Sequence, residues 1–144
     1  PIDGRQVGVL ISTDISGDTA AAVGKLVDEL SAAGTTPLVV AEKGGTVKLG
    51  DKDTPISRTY LTASSIEFDA VVVVNPPAKT DVDTILGECE RHKKAIVAVG
   101  EAGKQALEAA RVPADQPGIV TVDTADAAAA PVKELLASHR VWER

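Results

Sequence analysis

DAVVVVN (69–75) is the stretch that decides the fold of this chain. Its valines follow one another without a polar break, so both faces of the strand they form must be covered. A strand apolar on both faces marks the centre of a parallel sheet, with helices lying on either side. The sequence around it should therefore alternate between strands and helices.

It does. Upstream, RQVGVLI (5–11) reads as a buried first strand, followed by the turn STDISGD (12–18). Val23, Leu26, Val27 and Leu30 recur at i, i+3, i+4 and i+7, the spacing of an amphipathic helix, which Gly34 closes. TPLVVA (36–41) is a second strand, and EKGGTVKLGDKDTPIS (42–57) predicts a small β-hairpin excursion. Downstream, NPPAKT is a loop and a helix runs from about Asp81, with Val82, Ile85, Leu86 and Cys89 on one face. Asp81 and Asp83 lie early in it and Arg91, Lys93 and Lys94 late, which complements the helix dipole. AIVAV (95–99) is another strand, and a helix from Glu101 to about Ala110 turns Leu107 and Ala110 inward. GIVTVD (118–123) is the last strand. A final helix lies somewhere within 124–138 on Val132, Leu135 and Leu136, and Pro131 fits its first turn if it starts there.

This alternation predicts a three-layer α/β/α sandwich with a mostly parallel, flavodoxin-like sheet and a β-hairpin excursion. The 144 residues suit one domain able to bury a real core. Aromatic residues are only 2%, so the core must be aliphatic and stacking partners for a flavin are scarce. A net charge of −6 argues against a nucleic-acid partner, which rewards clustered Lys and Arg. No apolar run is long enough to span a bilayer. One cysteine, Cys89, excludes an internal disulfide and fits a reducing cytoplasm. Absence of Met, with Pro1 first, suits a processed or excised domain as well as a chain that has lost its start Met.

In such folds ligands sit beyond the carboxyl ends of the strands, which puts function in the loops 12–18, 75–80 and 100–103. Ser16-Gly17-Asp18-Thr19 resembles a phosphate loop and so suggests FMN, although Asp14 and Asp18 would repel a phosphate. The competing reading is a turn at Gly17 with Ser16 or Asp18 capping the helix. In NPP, Pro76 and Pro77 have no N–H to donate, so an oxyanion hole cannot be built on them. AIVAVGEAG (95–103) has the form of a strand-to-helix elbow, a turn that can hold up a nucleophile, but Gly100 at its tip has no side chain. Glu101, with Asp14, could still serve a hydrolase or deglycase if the two carboxylates converged in one pocket. Otherwise Glu101 simply favours the positive end of its helix.

Other candidates are weaker. Cys89 faces a helix core, and with His92 it offers too few ligands for a closed zinc site. Asp51 and Asp53 in GDKDTP lack the later ligands of a calcium loop. HRVWER ends the chain with Trp142, which is expected to pack somewhere, against another domain for instance.

These features resemble the C-terminal domain of large-subunit (clade 2) catalases over nearly the whole chain, 1–144. The likeness rests on GRQVGVLI with a Thr-Asp loop, GGTVKLGDKDTPISRTYLTASSIEFDAVVVV, AIVAVGEAGKQAL and HRVWER. The order of elements over 44–74 is its most specific part. The resemblance implies kinship to class I glutamine amidotransferases and to the proteases and deglycases of that fold, with the nucleophilic cysteine absent. It also implies a vestigial pocket at Asp14, Asn75, Gly100 and Glu101, and neither catalysis, cofactor nor metal in this domain. The parent would be a haem polypeptide that dismutates hydrogen peroxide as a tetramer. The haem-bearing core and neighbouring subunits would then be the partners of this domain. A haem catalase needs a tyrosine ligand, and Tyr60, the one tyrosine here, has no such surroundings. The role implied is accessory: stability, folding, substrate access or chaperone-like help.

Overall fold

The computed structural model of the chain describes residues 2–138. In chain order the elements are β1 (Gln6–Leu10), α1 (Gly17–Ala32), β2 (Thr36–Ala41), β3 (Thr46–Leu49), β4 (Lys52–Pro55), β5 (Arg58–Thr59), β6 (Ala70–Val73), α2 (Thr80–Arg91), β7 (Ala95–Val99), α3 (Gly100–Ala109), β8 (Ile119–Val122) and α4 (Ala129–Ala137). Short 3-10 turns at Ser65–Glu67 and Ala125–Ala128 precede β6 and α4.

The valine run sits in the middle of the main sheet, whose order is β5-β2-β1-β6-β7-β8. Every neighbouring pair in it is parallel. Setting β5 aside, the remaining strands follow the flavodoxin-like 2-1-3-4-5 order. Strand side chains alternate between faces, and β6 divides its residues accordingly. Ala70, Val72 and Val74 join Val7, Val9 and Val97 in a core that buries Val23, Leu26 and Leu30 of α1 and Val132 and Leu136 of α4. Val71 and Val73 join Leu10 and Ile96 in a second core, with Val82, Ile85, Leu86 and Cys89 of α2 and Leu107 of α3. This is the three-layer arrangement expected from the sequence.

β3 and β4 form the separate antiparallel hairpin, with Asp51 in its turn and Asp53 opposite Lys48. Pro131 is the third residue of α4, inside its first turn. The two-residue edge strand β5, paired to Val40 and Ala41, was not foreseen. Among the described residues no helix is long and apolar enough to cross a membrane. HRVWER (139–144), with His139 and Trp142, lies outside the described residues.

Candidate functional site

Parallel register determines which loop residues meet at the carboxyl edge of the sheet. Leu10 lies opposite Val40 on one side and Val73 on the other, and Val73 lies opposite Ala98. Continuing each strand by two residues puts Glu42, Ser12, Asn75 and Gly100 in one row. The row crosses the gap between β1 and β6, where the strand order reverses and ligands of this fold class usually bind.

That gap is closed by the protein's own hydrogen bonds. The Ser12 N–H donates to Asn75 Oδ1 at 3.2 Å, tying the β1 loop to the end of β6. Glu42 takes the other donors: Oε1 accepts from the Thr13 N–H at 2.6 Å and the Thr13 hydroxyl at 2.7 Å. Its Oε2 lies 2.9 Å from the Ser12 hydroxyl, which is also 2.5 Å from Asp14 Oδ1. A hydroxyl carries one proton, so Ser12 serves only one of these carboxylates at a time. Burial pushes the Glu42 pKa up, but bonds from the Thr13 hydroxyl, the Glu42 and Thr13 backbones and the Ser12 hydroxyl outweigh it and hold the value at about 2. A resident carboxylate thus takes loop donors that an incoming anion would otherwise use.

Beneath the loop, the Tyr60 hydroxyl donates to the Ile11 carbonyl at 2.6 Å. Burial raises the phenol's pKa, and the nearby Glu42 charge raises it further. Tyr60 is 4% exposed with its oxygen engaged, a poor fit to a haem ligand. No group of three or more possible metal ligands occurs among the described residues.

The elbow keeps its backbone. Gly100 adopts φ +61°, the left-handed conformation, at the first position of α3, immediately after β7. A Cβ there would lie 3.5 Å from the Asp123 carbonyl, so a side chain would have room. One turn on, a Cβ at Gly103 would come within 2.6 Å of the Val73 carbonyl, so the helix start lies tight against the sheet. Tip and support are present without a nucleophile.

The other predicted residues are dispersed around this row. Asp14 is exposed and bonds to Ser12. The Glu101 side chain is 80% exposed and pairs with Lys104 at 3.7 Å. Asn75, Pro76 and Pro77 line a cleft of about 170 Å³ between α2 and α3, and neither Asp14 nor Glu101 is part of its lining. Ser16 occupies the N-cap position of α1, but its side chain makes no capping bond; Gly17 makes the turn at φ +60° and Asp18 lies in the first turn. Thr19 is exposed. Cys89 is buried, and His92 pairs with Glu88 at 3.3 Å. Glu42 was missed by sequence reading; the signal that could have found it is its place one residue past β2, opposite Ser12.

With this geometry in view, comparison with known proteins is informative. Residues 3–144 match the family described as the C-terminal domain found in long catalases. A catalase from Alkalihalophilus pseudofirmus is 30% identical over 148 aligned positions, which cover 99% of this chain and 21% of the relative. The chain thus spans about a fifth of that relative's length. It belongs to the family of C-terminal domains of long catalases.

Proposed function

We propose that this chain is the C-terminal module of a longer, cytoplasmic catalase polypeptide, folded as a single amidotransferase-like domain. In this reading hydrogen peroxide is dismutated at haem held elsewhere in the polypeptide, within a tetramer. The module contributes stability, folding or chaperone-like assistance and no chemistry of its own. Asp14, Asn75, Gly100 and Glu101 are then the remnant of an active-site pocket.

The observation that carries this reading is Gly100: a left-handed elbow whose tip has no side chain. Around it, Pro76 and Pro77 lack N–H donors, and Glu42 engages Ser12 and Thr13. The family match supports a catalase parent.

The test is the size of the native polypeptide in its source cells, captured with an antibody to this domain. Haem absorbance and peroxide consumption are read on the same material. A much longer, haem-coloured, peroxide-consuming subunit is expected. A colourless polypeptide of only 144 residues would overturn the reading.

A further inference from the structure

A cleft of about 260 Å³ lies between the 3-10 turn Ser65–Glu67 and α2, and it shares no residue with the row at the carboxyl edge of the sheet. Both of its sides are held in place by the fold. Ser64 and Glu67 cap each other's backbone reciprocally, and Arg58 Nε donates to Glu67 Oε1 at 2.7 Å, which fixes the turn. Opposite, Ile85 of α2 is rooted in the second core. A cleft with walls already in place needs little further ordering to accept an occupant.

Three hydroxyls line it, and they differ in what they have left to offer. Thr84 donates its proton to the Thr80 carbonyl at 3.0 Å. Ser64 Oγ accepts from the Ile66 N–H at 3.4 Å within the cap. Ser65 is only 8% exposed, yet its hydroxyl makes no hydrogen bond among the described residues. A hydroxyl taken out of bulk water without a partner is costly, so a molecule that bonds to it there is favoured.

The charges at the rim are already matched. Glu88 holds Arg91 on Oε1, and on Oε2 it holds His92 Nε2 at 3.3 Å. No lining residue is left with an unengaged charge, so an ion entering the cleft would lose water and gain no counter-charge. The remaining wall is apolar, formed by Ala63, Ile66 and Ile85. Ile66 is 82% exposed and would be covered by an occupant. The volume lies below the roughly 300–1,000 Å³ of pockets for drug-sized ligands, so the occupant is small.

We infer that this cleft is a binding site for a small, uncharged amphiphile, with a hydroxyl or amide head bonded to Ser65 and an apolar body against Ala63, Ile66 and Ile85.

The test is photolabelling of the intact polypeptide with a trifluoromethyl-diazirine derivative of benzyl alcohol, beside its benzoate counterpart of the same size. Labelled peptides are identified by mass spectrometry. The alcohol should label 63–66 and 84–92 saturably, and unmodified benzyl alcohol should compete. Ser65→Ala, which leaves the Ser64–Glu67 cap intact, should weaken half-saturation by about threefold to tenfold, the loss of one neutral hydrogen bond. Thr84→Phe, at an exposed position on the cleft wall, should abolish labelling there by filling the space. Benzoate labelling equal to or stronger than that of the alcohol would overturn the uncharged class of ligand. Labelling that does not saturate, falls elsewhere, or is unchanged in Ser65→Ala would overturn the site as assigned.

Discussion

The hydrogen bonds from Ser12 and Thr13 make Glu42 a link between folding and acid. The ordinary pKa of a glutamate, as in the unfolded chain, is 4.5, and Glu42 is held at about 2 in the folded chain, so between these values the unfolded chain binds more protons. Stability from this source is complete above about pH 4.5 and disappears as the pH falls toward 2. Acid unfolding followed by circular dichroism should show that limb. Glu42→Ala should flatten it and cost about 2 kcal/mol at neutral pH, the range for hydrogen bonds to a charged group; an unchanged limb would place the acid sensitivity elsewhere. The elbow makes a second prediction. Gly100→Ser places a hydroxyl at the tip but puts it on a left-handed backbone, costing about 1–2 kcal/mol, and should bring no esterase activity. Gly103→Ala should cost about 1–3 kcal/mol through overpacking, because its neighbours are backbone atoms. Denaturant titrations of the two variants check both figures. Gly100 was legible in the sequence because the elbow pattern points to it. Glu42 was not, since a single charged residue after a strand carries no mark of the loop it will meet.

At the level of elements, legibility followed length and period. The faces of α1 and α2 were readable because buried residues recur at helical spacing, and the hairpin because glycines flank its short extended pieces. β5 was not, because two residues, Arg58 and Thr59, are too few for any period. Its partner β2 and the bond from Tyr60 to Ile11 hold it in place. Tyr60→Phe removes that donor and leaves a buried carbonyl without it, so a loss of about 1–3 kcal/mol is expected. Faster amide exchange over 58–63 should accompany it. A variant of unchanged stability with unaltered exchange would show that the phenol does not secure this edge.

For the whole molecule, layers and order of elements were legible, since one valine run filling two cores requires helices on both sides. The proposed accessory role was not legible from the residues themselves, because assistance to a parent would leave no arrangement of reactive groups to read. If the module assists folding, an equimolar amount should suppress aggregation of a heated client beyond an unrelated acidic protein, followed by light scattering. The strand order also bears on synthesis. Taken in chain order, β2 adds to β1, β5 extends that pair on one flank, and β6, β7 and β8 add in turn on the other, so the strand order would let the sheet assemble in the order of synthesis. Each newcomer meets an edge that already exists, and none has to wedge between strands already paired. At about 5–20 residues per second, the sheet can be built outward while translation is still under way, with no finished portion reopened to admit a later one.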